Sequence, residues 1–414
     1  MIRILEASQS NKILERRTAR LEEAEQVVRP ILDAVRKRGD KALIEYARKF
    51  DGLERKSVAV PIDELQRAAD ELSPDFRAAV RTASDNIRGY AKLQLPRPFR
   101  KAIVPGIRLG QIIRPLDSVG AYVPSGRYPL PSTLMMTVVP AQVAGVPHIS
   151  VASPNPSREI YGTAALLDVT TVFQMGGAHA IAAFAFGTKT VPRADRIVGP
   201  GNIYVTAAKR MLAGEVGIDF AAGPTEVLII SQEGDPRWIA ADMLAQAEHD
   251  VDASAYLLTP SRRLAGAVAQ EIERQIQDLP TAKIARKSID KNSAIVITNS
   301  LEQAVEISNQ FAPEHLSIPE TRLLDSVKHA GTVFVGPNTA EAAGDYAAGP
   351  SHVLPTNGVA RIRAGLSAAD FVKVIAVQEL NGEAIRRLAP TITTLARAEG
   401  LEGHARSVEV RLGK

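Results

Sequence analysis

Thr171-Val172-Phe173-Gln174-Met175-Gly176-Gly177-Ala178-His179-Ala180 passes from a short apolar strand, through a glycine pair, into a helical run that continues to Phe186. The same step recurs along the chain. Ile149-Ser150-Val151-Ala152 is one such strand, Arg196-Ile197-Val198 precedes a helical run from Val205 to Leu212, and Glu226 to Ser231 is another strand. Ala294-Ile295-Val296-Ile297 comes before a helix near Leu301 to Asn309, and Thr332-Val333-Phe334-Val335 before Gly336-Pro337-Asn338. This alternation implies an α/β fold of mostly parallel sheets covered by crossover helices.

Outside that frame the pattern changes. Leu21 to Phe50 repeats at helical spacing, with breaks expected at Pro30 and at Gly39-Asp40. Ser73-Pro74-Asp75 reads as cap, first turn and acidic start of a helix reaching about Leu93. Leu95-Pro96-Arg97-Pro98-Phe99-Arg100 ends it, and a β-rich stretch follows from Ile103 to Val123, with Gly106 and Gly110 as expected turns. The tail after Ser367 reads as mostly helical, and the alternating Ser407 to Leu412 as a last strand or docking arm.

At 414 residues the chain exceeds what one core usually serves, so two or more lobes are expected. Its 50 basic and 46 acidic residues are spread evenly, and aromatic residues make up 5%, which gives nucleic-acid binding no support. The first ten residues show no basic segment followed by an apolar run, and no window is apolar enough to span a bilayer. The expectation is a cytoplasmic protein without membrane contact. Absence of cysteine excludes disulfides, thiolate metal sites and a thiol nucleophile.

Phe311-Ala312-Pro313-Glu314-His315-Leu316 sets a carboxylate beside an imidazole where Pro313 forbids a helix interior and is expected to hold Ala312 extended, at the entry to a short strand from Leu316 to Ile318. Ligands in open α/β sheets lie beyond the carboxyl ends of strands, so the glycine-rich strand ends are the places to search. There are four: Val119 to Arg127, Met175 to His179, Val198 to Asn202 and Ala222 to Thr225. None is the common dinucleotide or P-loop pattern. Gln246 and His249 share a helical face; Asp345 lies between Gly344 and Gly349; His404 follows Glu399 by five residues. Zinc would accept all four of Gln246, His249, Asp345 and His404, although seven histidines in 414 residues would also scatter this way by chance.

These motifs, taken in order with Gly344-Asp345-Tyr346-Ala347 and His352-Val353-Leu354-Pro355-Thr356, resemble the histidinol dehydrogenase family nearly end to end. The resemblance implies one Zn²⁺ per subunit on Gln246, His249, Asp345 and His404, with Glu314 and His315 as catalytic acid–base residues. It implies that Thr225, Glu399, His315 and the four metal ligands contact the substrate, L-histidinol, and that Tyr122, His179 and Asn202 contact NAD. It further implies two incomplete Rossmann-like lobes, one inserted in the other. The first spans 20–121 and 228–366, the second, NAD-binding, 122–227; an arm covers 1–19. Segment 367–414 is expected to cross to the partner of a homodimer, carrying Glu399 and His404 to its site. Three positions depart from the family pattern: His179 for a common Gln, Thr225 for Ser, and Ser125 for Gly.

Oxidising an alcohol needs a base for the hydroxyl proton, for which His315 is suited. Oxidising the aldehyde needs a nucleophile, and without cysteine that nucleophile is water, activated by Glu314. A relative acting on another small hydroxylated substrate, such as a sulfonated diol, would share zinc and NAD; Glu399 favours a cationic or imidazole-bearing one. His352 could serve either the substrate region or a structural hydrogen bond.

Overall fold

The computed structural model describes residues 1–14, 21–125, 128–220 and 223–413. Gly126, Arg127, Ala222 and the stretch 15–19 of the expected arm lie outside them. Two compact units are present: residues 1–94 with 116–371, and residues 95–115 with 372–414.

The larger unit holds two parallel sheets. In the first, strands run in the order Arg3–Glu6, Ala294–Ile297, Ser254–Thr259, Glu226–Ile230, His315–Ile318, Thr332–Val335. In the second the order is Thr171–Gln174, His148–Ser153, Ser118–Tyr122, Arg196–Val198, Gly217–Ile218. Leaving out the added edge strand Arg3–Glu6, both follow one winding, in which the chain starts at a central strand, adds two neighbours on one side and then two on the other. Each is an open Rossmann-like sheet, and the second is inserted in the first. Strands Glu226–Ile230 and Ala294–Ile297 are buried at every residue, which is why, Glu226 apart, they read as unbroken apolar runs.

Several expectations change here. Pro30 does not break its helix, which runs Leu21–Arg38; the proline is exposed, so water can satisfy the carbonyl it leaves free. Helices Leu21–Arg38 and Asp40–Phe50 share a core with Phe173, Ile181 and Val205 of the inserted lobe, although the expected boundaries assign them to the first. Residues 3–6 of the arm are an edge strand of the first sheet.

In the smaller unit, Val372–Leu380, Ile107–Pro115 and Phe99–Val104 form an antiparallel sheet, so residues 95–115 associate with the C-terminal segment. Gly106 makes the turn, with φ +79°, but Gly110 lies inside Ile107–Pro115, where a Cβ would stand 2.4 Å from the Phe99 carbonyl oxygen. The tail is helical from Glu402–Glu409 and not a strand; Ala405 and Val408, one turn apart, are its buried residues. Among the described residues no helix is long and apolar enough to cross a membrane.

The turn after Arg196–Val198 is fixed by a buried ion pair. Lys209 is paired with Asp219 and donates to the Gly199 carbonyl at 2.8 Å, while Asp219 accepts from Gly199 N at 2.8 Å. Removing one partner strands the other charge in the core, at a cost of about 3–5 kcal/mol. Lys209→Met is expected to lower the thermal unfolding midpoint by several degrees; an unchanged midpoint would rule out this role for the pair.

Candidate active site

Strands Glu226–Ile230 and His315–Ile318 pair in parallel with His315 opposite Val227. Their first residues, and those just before, therefore meet at one edge of the sheet: Thr225 and Glu226 on one strand, Glu314 and His315 on the other. Helix Pro236–Ala247 leaves the far end of Glu226–Ile230 and returns, delivering Gln246 and, just beyond its end, His249 to the same edge. Helix Glu341–Tyr346 adds Glu341 and Asp345, one turn apart on one face. The cluster thus sits at the amino edge of the sheet, not at the carboxyl edge where ligands of open α/β sheets usually lie.

The entry to Glu314 also differs from expectation. Ala312 adopts a left-handed conformation, φ +51° and ψ 68°, and ends helix Leu301–Phe311 by donating to the Ser308 carbonyl at 2.7 Å. Proline at 313 disfavours a right-handed helical residue before it, and the helix cap takes the left-handed alternative at a cost of about 1–2 kcal/mol.

Glu314 is 5% exposed, and its Oε2 accepts from Thr225 Oγ1 at 2.6 Å and Glu226 N at 2.9 Å. Burial pushes its pKa well above the ordinary value, against the pull of those two donors. Oriented to satisfy both ends, the Gln246 amide donates from nitrogen to Glu341 Oε1, and its oxygen accepts from Thr225 Oγ1 at 2.6 Å and Glu226 N at 3.0 Å. Thr225 has one hydrogen and two neighbours at that distance. Ionised, Glu314 takes that hydrogen; protonated, it donates to Thr225, which then donates to Gln246.

His315 is buried, and its Nδ1 faces the Glu226 carbonyl at 3.2 Å, an acceptor only. Nδ1 therefore carries the hydrogen, and Nε2 carries the lone pair. Nε2 has no hydrogen-bond partner and lies 3.8 Å from Asp345 Oδ1. Burial lowers the pKa of this ring to about 4, opposed by Asp345. Asp345 is also 3.8 Å from His249 Nε2, through Oδ2. His352 is spent on structure, its Nδ1 on the Asp345 carbonyl at 2.8 Å and its Nε2 on Thr133 Oγ1 at 3.0 Å.

Three cation-ligand candidates, Gln246, His249 and Asp345, thus converge in the larger unit. His404 and Glu399 belong to the smaller unit, both exposed: Glu399 caps helix Gly382–Ala398 and His404 lies in Glu402–Glu409. Among the described residues no three histidine or acidic side chains of the single chain close on one point. The donors nevertheless suit a divalent cation. The 3.8 Å between His249 and Asp345 can be bridged by one ion at about 2.1 Å from each. Three carboxyl groups, of Glu314, Glu341 and Asp345, gather at this edge, and His315 Nε2 and Glu341 Oε2 are buried without hydrogen-bond partners. Glu341 and Asp242, whose pKa burial raises to about 6, escaped sequence reasoning. The one available signal for Glu341 was its place one helical turn before Asp345.

In the inserted lobe, Tyr122 ends strand Ser118–Tyr122 and Asn202 caps helix Ile203–Leu212, accepting from Tyr204 N at 3.0 Å and Val205 N at 3.1 Å. They flank the point where the strand order reverses, the usual dinucleotide crevice. Gly199 has φ +110°, and a Cβ there would stand 2.0 Å from the Tyr122 carbonyl oxygen. His179 is buried, with Nε2 2.6 Å from Asp51 Oδ2, which also accepts from Gly176 N at 2.9 Å. That nitrogen is therefore committed to holding the glycine turn, and Tyr46 and Phe50 pack beside the ring.

The sequence profile of the family described as histidinol dehydrogenase matches residues 14–412. Histidinol dehydrogenase from Thermus thermophilus is 48% identical over 397 residues, covering 94% of each chain. That from Aquifex aeolicus is 46% identical over 396 residues, covering 94% of this chain and 93% of its own. A crystal structure of histidinol dehydrogenase from Elizabethkingia anophelis superposes with a TM-score of 0.96 at 34% identity, over 100% of this chain and 98% of its own.

A depressed imidazole pKa makes stability depend on acid. The neutral His315 contributes stability that is fully present above its ordinary 6.5 and is lost as pH falls through about 4. Glu314, raised, acts with the opposite sign, favouring the fold below its ordinary 4.5 and less so as pH rises through its own higher value. In metal-free protein, His315→Asn should therefore show a shallower drop in unfolding midpoint between pH 6.5 and 4 than the parent chain. Superimposable pH profiles would contradict a neutral buried imidazole.

Proposed function

The chain belongs to the histidinol dehydrogenase family, and on that premise we propose that it takes L-histidinol through L-histidinal to L-histidine at a site built around Glu314 and His315. The observation that carries this reading is the pairing of a free Nε2 on His315 with a buried, hydrogen-bonded Glu314 at one strand edge.

Gln246, His249 and Asp345 of one subunit, with His404 of a second copy, would hold zinc, and Tyr122 and Asn202 would flank NAD. When bound, zinc supplies an anchor for the amine and imidazole nitrogens of the substrate, and NAD⁺ takes up each hydride. His315 Nε2 removes the hydroxyl proton of the alcohol as the C–H bond breaks and its electron pair leaves as hydride, giving the aldehyde. Water then adds to the aldehyde carbon. Glu314, in its ionised form, takes a proton from that water, and the carbonyl oxygen gains the one His315 took from the alcohol, so that a gem-diol results and His315 is again a base. His315 removes a proton from the diol as the second hydride leaves, and the acid is released. Thr225 fixes the Glu314 carboxyl throughout by its 2.6 Å hydrogen bond. The balance is one alcohol, one water and two NAD⁺ consumed, and one carboxylate, two NADH and three protons formed.

Glu399, at the end of its helix and exposed, offers a carboxylate to a cationic or imidazole-bearing substrate in the partner's site. This sharing supports a homodimer as the working form. The smaller unit, which holds Glu399 and His404, then serves the neighbouring subunit.

The direct test is NADH formed per L-histidinol consumed, with and without a chelator. Two NADH per substrate, abolished by the chelator, is the expected result; none would overturn the reading. Glu314→Gln should slow aldehyde oxidation by at least about 100-fold while zinc content stays unchanged. Mixed His404→Ala and Glu314→Gln subunits should regain partial activity, since one of the two sites in the heterodimer is intact. No recovery in verified heterodimers would exclude sharing.

A further inference from the structure

We propose that Glu341 is a positioning residue of this site: its oxygen Oε1 takes a hydrogen from the Gln246 amide and stands beside the protonated ring nitrogen of His315, and so sets which atom of each faces the reacting groups. The inference rests on the roles given above to Gln246 and His315.

An amide can hold a cation only through its oxygen, so its NH₂ must find an acceptor elsewhere. Glu341 Oε1 is that acceptor for Gln246, which leaves the amide oxygen on the side of Thr225. A histidine that is to take a proton at Nε2 must carry its hydrogen at Nδ1, and needs acceptors there. His315 Nδ1 finds one in the Glu226 carbonyl at 3.2 Å, and Glu341 Oε1, 3.4 Å away in ion-pair contact, favours the hydrogen on the same nitrogen. Both groups face the same oxygen. Glu341 Oε2 is buried with no hydrogen-bond partner, so the arrangement stands whether or not Oε2 holds a proton.

Glu341 is itself held firmly. It is 4% exposed, it opens helix Glu341–Tyr346, and its backbone N–H is bound by the Asp242 carboxylate. Asp345 follows one turn later on the same helix, so a single short element aims a cation ligand and the residue that orients another. A carboxyl group kept here only for packing would be an expensive choice, since burial opposes its ionised form and apolar side chains of similar volume exist. Orienting two partners at once is what an apolar side chain could not do.

Three full-length, zinc-loaded proteins test this: the parent chain, Glu341→Leu and Glu341→Gln. Glutamine keeps an acceptor oxygen at the Oε1 position; leucine has none. Glu341→Leu should lose about 10- to 100-fold in kcat and in zinc affinity, with KM for NAD unchanged, and Glu341→Gln should recover most of the loss. Leucine with zinc saturating and kcat within twofold of the parent would overturn the proposal. So would a glutamine variant as impaired as leucine, because charge and not the acceptor oxygen would then be what matters. If the leucine variant does not fold, Glu341→Ala with added formate substitutes for it: recovery by formate supports the proposal, and a folded alanine variant unaffected by formate overturns it. The parent chain separates the two levels. If it makes no NADH from L-histidinol, the assignment of function fails; if it does and leucine is neutral, only the role of Glu341 fails.

Discussion

The parallel register that puts His315 opposite Val227 determines what the site can do. It brings the Glu226 carbonyl under His315 Nδ1 and the Glu226 N–H under Glu314 Oε2, so the backbone of one residue of the neighbouring strand fixes the imidazole tautomer and binds the carboxyl. A slip of one residue would turn every side chain of the strand to the other face. The slip is opposed by burial, because Leu316 and Ile318 would exchange places with His315 and Ser317. The geometry of the site is thus secured by the same apolar packing that makes the strand.

Electrostatics in the cluster follow from how little water reaches it. Glu314 and Glu341 are driven toward their protonated forms and His315 toward its neutral one, all by burial before any pairwise charge. Each shift favours the uncharged form, as burial away from water requires. The inserted lobe solves a similar problem internally, with Lys209 and Asp219 cancelling one another while both grip Gly199.

The fold was legible where sequence pattern and burial coincide. Ala294–Ile297 is buried at every residue and reads as a strand without ambiguity; Ser407 to Leu412 has too few buried residues for its alternation to mean anything, and it is helical. Glu314 and His315 were visible because Pro313 marks their segment as irregular. Glu341 was not, because nothing in a surface-like Glu-Ala-Ala-Gly-Asp run announces that its first residue is buried. The edge on which the cluster lies was legible only locally, from the place of Glu314 and His315 at the entry to their strand. Tyr122 and Asn202 lie at the carboxyl edge of the inserted sheet, while Gln246 and His249 reach the amino edge of the first through a returning helix, which no local pattern announces.

That placement has an evolutionary side. The carboxyl edge of the first sheet, with its connections at 231–235, 260–261, 298–300 and 319–320, carries none of the groups assigned to the reaction. Insertions and substitutions there escape catalytic selection and are limited only by the sheet beneath them. This edge is where homologues should diverge most in loop length, and where a new peptide or partner-recognition loop could be grafted at the least risk to turnover.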